Sequence, residues 1–275
     1  MHYKFLLILG CSFLSLFFGC AVNPVSGDKE LMLLSPEQDI EIGRKYAPEI
    51  EKYMGGPIAD EALQHYIDSV GQRLVQVSHA AAIKFHFTAL DHKSINAFAL
   101  PGGYIFITKG LLEKIQTEAQ LASIFGHEIT HVAARHSAAA ISREIGMSVL
   151  LMGMVIASPS QGTAAAGQVT EALLSLRYTR DDEREADRSG LLYMVRAGYD
   201  PRSAAQVMQV LNEQEIDNPP ELWSSHPLTE DRINYLNRRV AILTEKYDLS
   251  ALRIGRQEYQ GSVLDRLKNL GKSVK

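Results

Sequence analysis

Apolar residues run almost unbroken from position 5 to 18, then give way to a polar, turn-rich stretch through residue 34. From there the spacing is helical. Ser35-Pro36-Glu37-Gln38 supplies a capping serine, a first-turn proline and a glutamine placed to close a capping box. The helix this predicts runs to about Tyr53, stressed at Pro48, and Gly55-Gly56-Pro57 ends it. Leu63, Ile67, Val70, Leu74 and Val77 then recur on one side of a second helix over roughly residues 59–77. At residue 83 the period drops to two. Residues 83–90, 95–100 and 104–108 read as three strands, separated by turns at 91–94 and 101–103. They predict a small, mainly antiparallel sheet.

Helical spacing returns at residue 117 and continues beyond residue 136 without a proline, with Leu121, Ile124, Phe125, Ile129 and Val132 on its apolar face. Residues 141–176 are rich in Ala, Gly, Ser and Met, and their apolar core at 149–157 is too short to span a bilayer. They read as a helical hairpin packed on the core, or as a flap over an active site. Helices follow at 180–197, from Asp200-Pro201 to about Gln214, and from Thr229 to about Tyr247. The fold class is therefore α+β and helix-dominated, with the sheet just before the helix at 117. One domain occupies residues 35–247, and residues 248–275 are a mildly basic tail with Lys268, Lys272 and Lys275.

Composition changes little in this picture. At 46% hydrophobic and 22% charged the 275 residues are ordinary globular material, and a net charge of −4 without Lys/Arg clustering speaks against nucleic acid. The N-terminus matters more. His2 and Lys4 precede the apolar run, and residues 1–19 read as a signal peptide. Gly19-Cys20 resembles a bacterial lipobox, with Phe17 where leucine is commoner. Cys20 then becomes a lipidated first residue, residues 20–34 a tether, and Ala21 a pointer to the outer membrane. Cys11 and Cys20 are the only cysteines, so the mature chain has no thiol pair to oxidise.

The chemistry lies in His127-Glu128-Ile129-Thr130-His131. On a helix His127 and His131 share a face one turn apart and can aim two imidazoles at one zinc ion. Glu128 sits roughly 100° round the helix, able to act as general base on water at that metal without taking a coordination position. Catalytic zinc sites usually carry a third protein ligand. Glu183 and Asp187, four apart on the helix at 180, share a face; Glu183 is a candidate carboxylate ligand, and Asp187 can hydrogen-bond the far nitrogen of a ligand histidine. Glu185 points away from that face. His136, five residues after His131, points about 140° away from it and is not expected to ligate. His65, His79, His86 and His92 have no partner at metal spacing.

The H-E-x-x-H stretch, the later Glu183-Arg-Glu-Ala-Asp187 and the strand-and-turn Asn96-Ala-Phe-Ala-Leu-Pro-Gly-Gly103 resemble the HtpX-like and CAAX-prenyl-protease-type gluzincin family. The lipobox and Asn23-Pro-Val-Ser-Gly27 resemble its periplasmic lipoprotein branch. The resemblance covers roughly residues 20–240. It implies a zincin catalytic domain in which His127, His131 and Glu183 bind one zinc ion, Glu128 is the base and Asp187 supports His127. It also implies that Asn96, Ala97, Phe98 and Ala99 pair as an edge strand with an extended substrate. His226, in Ser-His-Pro-x-x-x-x-Arg232, comes near the zinc in that family, as an oxyanion-stabilising catalytic group, a fourth ligand that silences the site, or a structural residue at a helix start. The function implied is a zinc metalloendopeptidase of the bacterial envelope, lipid-anchored at the periplasmic face of the outer membrane. It would act on extended or unfolded, misfolded envelope proteins, with outer-membrane assembly machinery as a further partner. The rival is an envelope chaperone or assembly factor whose zinc site is latched and mostly inactive.

Overall fold

A computed structural model describes residues 20–145, 163–213, 226 and 230–273. The signal segment and residues 146–162 of the stretch read as a flap or a hairpin lie outside them. Among the described residues no helix is long and apolar enough to cross a membrane.

The chain begins with an antiparallel hairpin, β1 (Cys20–Val22) and β2 (Lys29–Leu31). The stretch read as a tether is thus docked on the domain. Met32 and Leu34 are buried, and the Leu33 N–H donates to Ser142 Oγ at 2.8 Å. Next come α1 (Pro36–Tyr53) and α2 (Glu61–Val75). The predicted capping box at Ser35 and Gln38 is formed.

A three-stranded sheet follows: β3 (His86–Leu90), β4 (Ala97–Leu100) and β5 (Tyr104–Thr108), in the order β3-β5-β4. It is mixed. The tight turn at 101–103 makes β4 and β5 antiparallel neighbours, and β3 then docks parallel on the far side of β5. Among the described residues two of the three strand pairings are antiparallel. The period of two buries both faces of the sheet. Phe87, Ala89, Ala97, Ala99, Ile105 and Ile107 enter the main core, while Leu90, Phe98, Leu100 and Phe106 pack with Ala47, Ile50 and Met54 of α1 and around it.

After the short α3 (Lys109–Leu112) comes α4 (Glu118–Ala133), which carries the H-E-x-x-H stretch, and then α5 (His136–Ile145). Thr117 Oγ1 caps α4 by accepting from the Gln120 N–H at 3.1 Å. Glu118, in its first turn, is fully buried. It accepts from Tyr66 and Tyr199 hydroxyls at 2.7 Å each, from Arg73 at 2.9 Å and from Arg253 at 3.0 Å. A buried carboxylate satisfied this fully pins the helix start. The remaining elements are α6 (Thr163–Leu174), α7 (Arg180–Arg196), α8 (Ser203–Glu213), α9 (Glu230–Lys246), α10 (Arg256–Tyr259), a π-helical turn (Gln260–Leu264) and α11 (Asp265–Ser273).

Residues 248–273, most of the stretch expected as a tail, belong to the folded unit. Leu249, Tyr259, Val263 and Leu267 are buried in the main core. Three of them recur at intervals of four on an otherwise polar segment, so the basic composition conceals one narrow apolar stripe.

Candidate metal centre

The site forms where α4 crosses α7. The helices meet at Gly126 and Gly190, and a Cβ on Gly190 would stand 2.9 Å from the Gly126 carbonyl carbon. Only glycine permits that approach, and it brings the faces carrying His127, His131, Glu183 and Asp187 together. A capping box at Thr179 and Asp182 starts α7, which sets Glu183 in its first turn and Asp187 one turn on.

Four side chains converge: His127, His131, Glu183 and His226 place ligand atoms within 4.8 Å of one another. His127 Nε2 lies 3.0 Å from His131 Nε2 and 3.2 Å from His226 Nδ1. Glu183 Oε1 is 2.7 Å from His226 Nδ1 and 3.6 Å from His131 Nε2, and its Oε2 is 3.5 Å from His127 Nε2. Tetrahedral ligands about 2.0–2.1 Å from a zinc ion stand roughly 3.3 Å apart, so these separations bracket that edge. Burial first, and then the neighbouring His127 and His226, drive the His131 pKa well below its ordinary value. That shift favours the neutral form, which a metal ligand needs. For Glu183, burial is outweighed by His226, Arg232 and His127, which hold it as a carboxylate. The residues present thus fit a metal ion: three imidazoles and one carboxylate converge at ligand spacing.

The surroundings fix these groups. His127 turns its Nδ1 to Asp187 Oδ1 at 3.0 Å. Asp187 in turn accepts from Arg232 Nη2 at 2.8 Å and Nε at 3.0 Å, and Arg232 Nη1 lies 2.8 Å from Glu183 Oε2. Burial alone would raise the Asp187 pKa; Arg232 and His127 overcome it and hold the carboxyl well below its usual range. The Tyr178 ring stacks on His131 at a centroid distance of 3.9 Å.

Glu128 is buried beside the cluster, with Oε1 at 3.7 Å from His226 Nε2. Glu128 Oε2 and His226 Nε2 have no hydrogen-bond partner among the described residues. Burial pushes the Glu128 pKa up, against His226 and His127, which draw it down. A carboxyl raised this way suits proton transfer nearer neutral pH. A cavity of about 40 Å³ opens beside His127 and Glu128, walled by Ile124, Leu191, Met194 and Val207.

The residues expected at the metal thus come together, His226 included. Asn96 to Ala99 lie elsewhere, on and next to the edge strand β4, which packs against α4. The Asn96 carbonyl accepts from the Thr108 N–H at 3.0 Å. By antiparallel alternation Ala97 and Ala99 then direct their backbone groups away from β5.

Two residues gained roles that spacing had not assigned. Arg232 was visible only as the end of a motif; its pairing with two carboxylates is tertiary. His136 was expected to point away along a continuous helix. Instead Arg135 adopts a left-handed φ of 60°, α4 stops at Ala133, and a new helix begins at His136. Arg135 is held there by Asp39 at 2.6 Å and the Leu34 carbonyl at 2.6 Å. The break swings His136 back so that its Nδ1 lies 2.9 Å from His131 Nδ1. It still does not ligate.

The chain is similar to several known proteins. The beta-barrel assembly-enhancing protease of Escherichia coli K12 is 32% identical over 88% of this chain and 54% of its own length. Its counterpart in Yersinia pestis is 32% identical over 75% of this chain and 44% of its own. The mitochondrial metalloendopeptidase OMA1 of Arabidopsis thaliana is 28% identical over 76% and 42% respectively. The chain spans about half the length of these curated relatives. Residues 61–240, which carry every expected metal ligand, match peptidase family M48, and the chain belongs to that family.

Proposed function

We propose that this protein is a zinc-dependent endopeptidase of the bacterial envelope, with His127, His131 and Glu183 holding the ion and Glu128 as general base. The observation that carries the reading is the convergence of those donors beside a buried Glu128 oxygen that has no partner among the described residues. Two imidazoles and a carboxylate suit zinc and leave a tetrahedral ion one open position for water. When bound, that ion would acidify water and polarise the scissile carbonyl. Glu128 takes the proton from the attacking water and returns it to the leaving amine. Asp187 accepts from His127 Nδ1 and so fixes the tautomer that offers Nε2 to the ion. An extended, unfolded polypeptide would add to the free edge of β4, using the outward backbone of Ala97 and Ala99, with Asn96 and Phe98 flanking.

Support for an envelope setting comes from the lipobox-like Gly19-Cys20, the exposure of Cys20, and likeness to proteins named as enhancing β-barrel assembly. Cys20 would carry the lipid that anchors the chain to the outer membrane, with misfolded envelope proteins as substrates and the assembly machinery as partner.

In the decisive test, purified mature Glu128→Gln retains one zinc per chain by elemental analysis. It cleaves an unfolded outer-membrane protein roughly 10²–10⁴-fold more slowly than wild type. Cleavage at the normal rate would dismiss Glu128 as the base, and wild-type protein without zinc would dismiss the reading altogether.

A second reading draws on one observation. His226 Nδ1 stands among the donors, 3.2 Å from His127 Nε2 and 2.7 Å from Glu183 Oε1. A site closed by four protein ligands leaves no position for water. In this state the protein would act as a latched assembly factor, and His226 must withdraw before hydrolysis. His226→Ala then raises proteolysis severalfold. Abolished turnover with zinc retained would instead make His226 catalytic.

A further inference from the structure

The Asn23-Pro-Val-Ser-Gly27 segment has no part in the proteolytic reading, yet Asn23 is only 1% exposed. Its side chain is held from several directions. Oδ1 accepts from the Val25 N–H at 2.8 Å and the Ser26 N–H at 3.3 Å, which fixes which end of the amide is oxygen. Nδ2 therefore faces outward from the loop, donating to Glu30 Oε1 at 2.7 Å and to Glu185 Oε2 at 2.7 Å. Glu185 is the α7 residue that points away from the metal face, and it is buried. Its Oε2 also lies 3.2 Å from His136 Nε2, and its Oε1 accepts from Arg188 at 3.2 Å. Asp182 Oδ1 stands further off, 3.9 Å from His136 Nε2, and the other oxygen of that carboxylate, Oδ2, accepts from Arg143 at 2.9 Å. The other face of His136 meets His131, Nδ1 to Nδ1, at 2.9 Å.

Proton placement along this chain is determined by its two ends. His131 Nε2 faces the donor cluster and must be bare to bind a metal, so Nδ1 carries the hydrogen. That N–H donates to His136 Nδ1. His136 must then carry its hydrogen on Nε2, which donates to the Glu185 carboxylate. Every member is satisfied by this one arrangement and by no other tautomer pair.

We propose that His136, Glu185 and Asn23 are positioning residues for the metal. Together they form a buried relay that orients His131, lengthening by one imidazole the support that Asp187 gives His127. The docked N-terminal hairpin is its outermost link. The inference rests on reading His131 as a metal ligand. Outer partners of ligand histidines typically change metal affinity by about 10–100-fold, and the hairpin, one link further out, has a smaller effect. Because binding couplings are reciprocal, whatever hairpin docking adds to metal affinity, the metal must add to hairpin docking.

The test uses the full mature chain and zinc itself, titrated in competition with a chromophoric chelator. His131→Ala serves as the control that reports on the ligand reading. His136→Phe keeps the bulk and loses both bonds; it should weaken zinc binding by about 10–100-fold. His136→Asn, whose amide oxygen can still accept from His131, should recover part of that loss. Glu185→Gln and Asn23→Ala should each weaken binding severalfold. In wild type, stripping the zinc should speed amide hydrogen exchange in residues 20–31, and Asn23→Ala should erase that difference. Should His136→Phe misfold by circular dichroism, Glu185→Gln and Asn23→Ala decide. Wild-type zinc affinity in these variants, while His131→Ala loses zinc, would overturn the relay and leave the metal site standing. Zinc affinity unchanged in His131→Ala would overturn the ligand reading instead.

Discussion

Arg232 ties two buried carboxylates at the site together. It is buried, pairs with Asp187 through two nitrogens and reaches Glu183 with a third. Removing one partner of a buried ion pair leaves the other charge uncompensated, at about 3–5 kcal/mol. Arg232→Ala should therefore lower the unfolding free energy by that order in urea melts of the metal-free protein. A loss under about 1 kcal/mol would show that water reaches these carboxylates. Asp187 also sets a pH dependence. Its folded pKa lies below the ordinary 3.8. Its stabilisation is therefore complete above that value and fades as pH falls below about 4.

At the scale of elements, the crossing of α4 and α7 decides whether two motifs 52 positions apart, from His131 to Glu183, make one site. Gly190 has the Gly126 carbonyl carbon and the His127 nitrogen within about 3 Å of where a Cβ would stand. Gly190→Ala must push the helices apart. We expect a stability loss of about 1–3 kcal/mol, and weaker zinc binding, because His127 and Glu183 separate with their helices. Calorimetry and chelator competition would measure the two effects. An alanine variant that melts and binds zinc like wild type would mean that the crossing is not tight. The break at Arg135 is the other decision of this scale. It turns a histidine from the far side of a helix into a neighbour of His131.

Across the whole molecule, both ends of the described chain close onto the catalytic unit. The hairpin reaches Glu185, and the C-terminal helices add Leu249, Tyr259, Val263 and Leu267 to the core. Burying one such side chain is worth about 1.5–3 kcal/mol, and a domain's whole stability is about 5–15 kcal/mol. A chain ending at Tyr247 should aggregate or melt far below wild type in a thermal scan. Equal melting temperatures would make residues 248–275 the dispensable tail that their composition suggests.

Much of this was legible in the residues themselves. Helical period located α1, α2 and α4, and the capping serine located the start of α1, because apolar spacing and caps are local properties. The same local geometry put His127 with His131, and Glu183 with Asp187, since residues four apart on a helix share a face whatever surrounds it. The tertiary structure alone decided the rest. Arginine is an ordinary helix former, so no signal in the chain marks the break at Arg135, which depends on Asp39 and the Leu34 carbonyl nearly a hundred residues away. Nor does any local rule place Asn23 against Glu185, stand His226 among the donors, or order the strands β3-β5-β4. Those are contacts between distant segments, chosen by which surfaces bury one another, and they determine how the H-E-x-x-H face is supported and closed.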